Sequence, residues 1–310
     1  EINPATLVVG GGPAGMAAAL QIGGAGKKVY LVEKTEALGG QLARMDCTFP
    51  RMDPARELLA SLEERVRALP NIEIMTGSVV MANPGFVGNF TATISGPRGR
   101  QTSVTVGNVV LATGFRPFDP AAIARLGYSH LPGILTAPEF ERMAAEGRLT
   151  HPGGGGAPRS AVIINCVGSR DRATHEYCSR YCCAAGLKQA ARIRELSPAT
   201  AVTVVYSDMR AFGKGCEELY ASVAKQDVVF ALFDKEAPPE VRAGEGGRLQ
   251  VVLAEQLSGE RIGIAADLVI LMTGMEAQAD SREVAKVFSI SADKNGFFIE
   301  KHPKLDPVAT

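Results

Sequence analysis

Three closely spaced glycines near the amino terminus constrain this chain more than any other feature. In Leu7-Val-Val-Gly-Gly-Gly-Pro-Ala-Gly15 a short β-branched run stops at Gly10, and Gly10, Gly12 and Gly15 then follow the spacing of strand, tight turn and helix. Gly10 allows a turn with positive φ, Gly12 allows backbone to approach a pyrophosphate, and Gly15 allows helix to pack on strand. A helix over about Pro13 to Gly24 points its first N–H groups at that phosphate position. The next strand, Lys28-Val-Tyr-Leu-Val32, delivers Glu33 at the place where a carboxylate accepts hydrogen bonds from a ribose 2′-OH. Strand before, helix after and acid in place together point to a dinucleotide.

Composition narrows the setting. A chain of 310 residues is long enough for two domains of ordinary size, and 46% apolar residues suffice for their cores. Lys+Arg and Asp+Glu balance at 33 each, which excludes nucleic acid and anionic membrane as partners expected from charge. No apolar run approaches the ~20 residues of a membrane span, and no signal peptide precedes the first strand. The six cysteines are Cys47, Cys166, Cys178, Cys182, Cys183 and Cys216. Four of them cluster in a chain that reads as cytoplasmic, so metal or redox chemistry is expected rather than structural disulfides.

The fold class expected is α/β, with two Rossmann-like domains. In the first, Ala37-Leu-Gly-Gly-Gln-Leu42 places a second glycine pair where the second strand delivers the chain. Asp53 and Pro54 supply an N-cap and first-turn proline for a helix to about Leu69, with Leu58, Leu59, Leu62, Val66 and Leu69 on one stripe. A strand at Ile72–Met75, an extended stretch at 78–81 and a β-meander between Phe90 and Val106 follow. Val109 to Ala112 reads as a parallel strand returning to the sheet, closed by a turn at Thr113-Gly114. This domain spans 1–118 and is completed by 275–310. Residues 119–159, rich in proline and glycine (including Pro152 and the run Gly153 to Gly156), read as a connector with a short helix near Pro138 to Ala145.

The second domain, 160–274, restarts with the buried strand Ala161-Val-Ile-Ile-Asn165. No glycine triplet follows it; the chain reads Cys166-Val-Gly-Ser-Arg-Asp instead, then Cys178, Cys182 and Cys183 within a helical pattern from Tyr177 to Glu195. Strands at Ala201–Tyr206 and Val228–Leu232, a helix from about Gly215 to Ala224, a hairpin near 240–259 and a strand at Asp267–Gly274 continue the alternation, with a last strand at Phe297–Glu300. Cys166 closes a strand at the carboxyl edge, where open α/β sheets place ligands. Cys178 and Cys182, four apart, share a face of the helix start, and the helix dipole there favours thiolates. Four thiolates suit tetrahedral zinc or an iron–sulfur cluster, although the spacing is that of neither common zinc ribbons nor ferredoxins.

Taken together, Gly10-Gly-Gly-Pro-Ala-Gly15, Val32-Glu-Lys34, Leu38-Gly-Gly40, Thr48-Phe-Pro50, Cys166-Val-Gly-Ser-Arg-Asp171, Tyr177-Cys-Ser-Arg-Tyr-Cys-Cys183, Gly213-Lys-Gly215 and His302-Pro-Lys-Leu305 give the chain its family likeness. It resembles the A-type flavoprotein subunits of heterodisulfide reductase and their relatives, including flavoprotein subunits of quinone-interacting membrane-bound oxidoreductase. The resemblance implies an FAD-dependent pyridine nucleotide-disulfide oxidoreductase type of fold. FAD would lie against Gly10, Gly12, Pro13, Ala14, Gly15, Glu33, Lys34, Gly39, Gly40, Gln41, Val79, Ala112, Thr113 and Gly114. Cys166, Cys178, Cys182 and Cys183 would hold a 4Fe–4S cluster, and the partners would be other redox subunits of a heterodisulfide reductase-like complex. Only Cys47 lies near the Phe-Pro, where such proteins often carry further cluster motifs, so no second cluster is expected. The chain also stops before a closing strand and glycine-rich segment, so it is read as truncated at its C-terminus.

The leading expectation is thus an oxidoreductase, an FAD and iron–sulfur electron-transfer subunit. The alternatives are an NAD(P)H-dependent flavin disulfide reductase, which needs a redox cysteine pair and a second glycine loop that are not in the sequence, and a cofactor-free scaffold.

Overall fold

The computed structural model describes residues 2–151 and 154–310, so Pro152 and Gly153 of the expected connector lie outside the described residues. The chain divides into two compact units: Glu1–Ala43 with Ala55–Arg116 and Glu276–Thr310, and Arg44–Pro54 with Pro117–Met275.

The first unit begins with β1 (Thr6–Val9), α1 (Pro13–Gly24), β2 (Val29–Val32), α2 (Ala55–Ala68) and β3 (Ile72–Met75). A meander follows, β4 (Val79–Ala82), β5 (Gly85–Phe86), β6 (Asn89–Ser95) and β7 (Gln101–Val106), and β8 (Asn108–Leu111) returns to the first sheet. The sheet is parallel in the order β3-β2-β1-β8, with Val8 opposite Leu31 and Val110. Strand alternation sorts its side chains. Val8 and Leu31 face Met16 of α1 and Val66 of α2, while Leu7 and Val32 face Ala92, Ile94 and Val106 of the meander. Each such buried aliphatic contributes about 1.5–3 kcal/mol, enough to fix which face each strand shows the helices. The stripe expected on α2 holds except at Leu58, which is 38% exposed. The helix starts at Ala55, and the Asp53 carboxylate binds Arg51 at 2.6 Å in place of a capping role.

The chain leaves through β9 (Phe115–Pro117). The second unit contains β10 (Ile134–Thr136), α3 (Ala137–Ala145), β11 (Ser160–Val167), α4 (Cys182–Leu196), β12 (Ala201–Tyr206), α5 (Cys216–Ala224) and β13 (Val228–Leu232). A three-stranded antiparallel meander, β14 (Glu240–Ala243), β15 (Leu249–Ala254) and β16 (Arg261–Ala266), leads into β17 (Leu268–Thr273). The parallel sheet runs β10-β17-β11-β12-β13. Ala161, Ile163, Leu268 and Ile270 face the helices, and Val162, Ile164, Val269 and Leu271 face the meander. The chain returns through β18 (Met275–Ala277) to α6 (Ser281–Val287) in the first unit.

Several sequence expectations change here. Residues 119–159 are not a mere connector: β10 pairs along β17, and Phe140 of α3 is buried in the core of the second unit. Residues 44–54 also belong to that unit, although the sequence places them in the first domain. They are fixed by a buried ion network. Lys188, 1% exposed, donates to the Cys47 carbonyl at 2.9 Å and pairs with Glu141 at 2.6 Å. Glu141 accepts from the Asp46 N–H at 3.0 Å, and Asp46 pairs with Arg192 at 2.6 Å. No periodicity could announce this, because every partner is remote in sequence.

The hairpin extends to a meander ending at Ala266. The tail strand expected at Phe297–Glu300 is reduced to a single bridge, Ala292 with Phe298. Asp293 explains this by accepting from the N–H groups of Asn295 and Phe297, which curls the segment into a side-chain-closed turn. The expected helix from Tyr177 begins only at Cys182. Arg180 has φ +63°, and the Arg170 N–H donates to the Tyr177 carbonyl at 2.9 Å, so the preceding loop folds on itself.

Candidate cofactor sites

In the first unit the glycines behave as their spacing requires. Gly10 has φ +107°, and a Cβ there would lie 2.2 Å from the Ala112 carbonyl oxygen. A Cβ on Gly15 would lie 1.8 Å from the Gly10 oxygen, so α1 seats directly on the turn. At Gly12 a Cβ meets nothing within 4 Å, leaving the N-terminus of α1 approachable, with Pro13 and Ala14 opening its first turn. The second glycine pair closes on the first: the Gly39 N–H donates to the Gly11 oxygen at 2.9 Å, and a Cβ on Gly40 would sit 3.2 Å from Gly12 Cα. Gly39 and Gly40 have φ of +116° and +52°, which favours glycine at both.

Glu33 is 8% exposed, and its carboxylate accepts from the Gly11 N–H at 2.6 Å and from the Thr35 N–H and hydroxyl at 2.8 Å each. A carboxylate so held is pre-positioned at the rim of the glycine turn. Gln41 donates to the Phe115 carbonyl at 3.2 Å, and Gln278 donates to the Thr113 and Phe115 carbonyls at 3.3 and 3.1 Å. Gln278 is a partner of this backbone that no sequence signal announces, since it arrives from the far end of the chain without a motif. Thr113 and Gly114 (φ +71°) link β8 to β9. Lys34 is engaged with Asp280 at 3.2 Å, and Val79 lies on β4, 43% exposed.

The second unit presents sulfur at the corresponding turn. Cys166 is the seventh residue of β11 and has φ +65°, a strained conformation for a side chain of its kind. Cys182 and Cys183 open α4, each buried. Cys178 lies in the loop before the helix and not on a shared helical face, a correction to the expected geometry; the Arg180 N–H contacts its sulfur at 3.3 Å. All four thiols are free. They lie within electrostatic reach of one another, since the thiol of Cys182 senses Cys166, Cys183 and Cys178.

Burial, ahead of this mutual repulsion, pushes the Cys166 thiol up to about 11 and raises Cys182 and Cys183. The expectation that the helix dipole makes thiolates here is therefore corrected: desolvation outweighs it. Among the described residues no three Cys, His, Asp or Glu side chains are arranged to hold a single metal ion. Free cysteine thiols are the residue type that iron–sulfur clusters use as ligands. Asn165, next to Cys166 and 2% exposed, has both carboxamide atoms buried without a partner, so the pocket also holds unspent hydrogen-bonding capacity.

Two glycine-rich or strand-closing turns on parallel sheets define a class. The family model described as pyridine nucleotide-disulphide oxidoreductase matches residues 4–155. The thioredoxin reductases of T. acidophilum and Lactococcus lactis share the fold, each with TM-score 0.60 and 16% identity, over 98% and 99% of this chain and 87% of theirs. The chain has the FAD-dependent pyridine nucleotide-disulfide oxidoreductase fold.

Within that fold it is similar to the A-type subunits of heterodisulfide reductases. It is 31% identical over 392 aligned residues to the A-type component of the H(2)/formate:CoB-CoM heterodisulfide,ferredoxin reductase of Methanococcus maripaludis, matching 100% of this chain. It is 32% identical to one of two A-type iron-sulfur components of the CoB--CoM heterodisulfide reductase of Methanopyrus kandleri, again over 100% of this chain. The chain spans 59% of the length of each of these relatives.

Proposed function

We propose that this chain is an electron-transfer oxidoreductase subunit carrying FAD in its first unit and a 4Fe–4S cluster in its second. What supports the reading is four free cysteines between the end of β11 and the start of α4, Cys166, Cys178, Cys182 and Cys183, with Cys182 within electrostatic reach of the other three. FAD and the cluster would supply the redox chemistry, and the protein their binding and electrostatic tuning.

In the first unit the Gly10–Gly15 turn and α1 would receive the pyrophosphate, while Glu33 would exchange the Gly11 N–H for ribose hydroxyls. Gly39, Gly40, Ala112, Thr113 and Gly114 would keep side chains out of the nucleotide's path, with Gln41 and Gln278 orienting the adjacent backbone. In the second unit the four cysteines would ligate as thiolates, the form of the side chain that binds metal. Asn165 stands ready to donate to sulfur, a contact of the kind that sets cluster potential. The partners would be the other redox subunits of a heterodisulfide reductase-like complex, and free thiols of this kind would suit the reducing cytoplasm. Among the described residues, no helix is long and apolar enough to cross a membrane.

Anaerobic purification of the full-length protein with flavin, iron and acid-labile sulfide quantitation tests the reading. One flavin and additional iron beyond any cluster elsewhere, lost selectively on Cys182→Ser, is the expected result. Iron content indifferent to that substitution would overturn the cluster assignment.

A further inference from the structure

Arg170 is a buried cation that the cluster reading leaves without a task. It follows Cys166 by four residues, in the loop between β11 and α4, and lines one cavity of about 670 Å³ with Cys166 and Cys178. Only 11% of its side chain is exposed. Two contacts hold it there. Its backbone, left-handed at φ +59°, donates from the N–H to the Tyr177 carbonyl at 2.9 Å, and its Nη2 donates to the Asp208 carboxylate at 2.8 Å. Asp208 itself touches the cysteines, because its main-chain carbonyl accepts from the Cys183 thiol at 3.5 Å. Arg170 is thereby joined to Cys183 through a single residue, on a wall it shares with Cys166 and Cys178.

The charge and the donors of Arg170 are only partly spent. The Asp208 carboxylate also receives Arg210 at 3.5 Å and Lys235 at 3.7 Å, so one anion serves three cations. The Arg170 Nη1 is buried without an acceptor among the described residues. A buried donor left unmade is costly, and a guanidinium does not escape by losing its proton. The missing partner is therefore an acceptor with negative charge. Thiolate sulfur has both properties, and the positive charge of Arg170 reaches the Cys166 and Cys183 sulfurs. The other two cations are less suited: the Arg210 side chain is 45% exposed and that of Lys235 47%, so solvent screens both.

Resting on the cluster reading given above, we propose that Arg170 sets how readily the cysteine-held site accepts an electron. A fixed cation beside sulfur stabilises the added negative charge, so its presence raises the reduction potential. The step is the uptake of one electron, supplied by dithionite in vitro, with no bond made or broken and no proton moved. Arg170 keeps its proton throughout and does not ligate; it acts on the sulfurs that do.

Dithionite titration of the anaerobically purified full-length protein, followed by electron paramagnetic resonance, tests it on the signal that Cys182→Ser removes. Arg170→Gln should lower the midpoint potential of that signal by about 59 mV or more, a tenfold change in the one-electron equilibrium, with iron and sulfide content retained. Arg170→Lys, which keeps the charge and loses the planar fork, should recover most of the shift. Asp208→Asn, which removes the anion and leaves the cation, should move the potential upward. Arg242→Gln, an exposed cation on β14, should leave it unmoved, so that the shift reports position and not net charge. Should Arg170→Gln lose the cluster, the opposite shifts of Arg170→Lys and Asp208→Asn carry the test. An unmoved potential in Arg170→Gln with iron retained, or Arg170→Gln and Asp208→Asn lowering it alike, would overturn this inference alone. Iron and signal indifferent to Cys182→Ser would overturn it together with the cluster reading.

Discussion

The two units solve one topological problem with opposite chemistry. Each has a parallel sheet in which one strand feeds a helix at the sheet's carboxyl edge, β1 into α1 and β11 into α4. In the first unit the link from Val9 to Pro13 is a bare glycine turn, stripped of side chains, which leaves the start of α1 uncovered at Gly12. In the second, Val167 and Cys182 are separated by a folded loop with left-handed residues at Arg170 and Arg180. That loop and its flanks bring sulfur to the edge that the first unit leaves to backbone. A helix N-terminus therefore does not by itself specify a ligand; the residues between strand and helix do.

Four experiments would break or sharpen that contrast. The largest effect is expected from Cys182→Ser, which should abolish iron incorporation in the second unit while flavin content stays at the wild-type ratio; loss of both together would mean that the two turns are not separate sites. Next is Lys188→Met, which strands the buried Glu141 carboxylate and should destabilise the second unit by about 3–5 kcal/mol in chemical denaturation. The double change with Glu141→Leu should recover most of that loss, because the unpaired charge goes with it.

Gly15→Ala, by pushing a Cβ to 1.8 Å from the Gly10 oxygen, should cost about 3 kcal/mol and most of the flavin, measured by urea midpoint and absorbance. Iron should be retained in that variant. The smallest effect is a pH dependence at Asp267. Burial opposes its ionisation, but the Arg159 N–H and Arg248, the latter at 2.9 Å, outweigh burial and hold the carboxyl below the usual range. A depressed folded value means that its contribution is complete above the ordinary carboxylate range of about 4 and is lost as pH falls through the lower folded value. Thermal unfolding of Asp267→Asn should accordingly lack part of the acid-side decline, and an unchanged profile would assign that decline elsewhere.

Legibility in the sequence follows the range of the forces involved. The Gly10–Gly15 turn, the Gly39-Gly40 pair and most strands are local: spacing, β-branching and positive-φ tolerance are written in consecutive residues. The start of α4 is hidden because Arg180 adopts a left-handed conformation that the apolar spacing does not reveal. The expected strand at Phe297–Glu300 does not form because Asp293 closes a turn with its own side chain. Gln278 and the Lys188–Cys47 contact are invisible for a different reason, as their partners are more than a hundred residues away in sequence.

The sequence by itself determined that this protein has a glycine turn between its first strand and helix, and that four cysteines follow where a second such turn would stand. Only the tertiary structure decided that residues 44–54, β10 and α3 belong to the second unit, and that burial raises the thiols of Cys166, Cys182 and Cys183. Backbone conformation and strand alternation depend on neighbours along the chain. Desolvation and ion pairing depend on what the folded chain brings alongside, and these set the chemistry of the cysteine pocket.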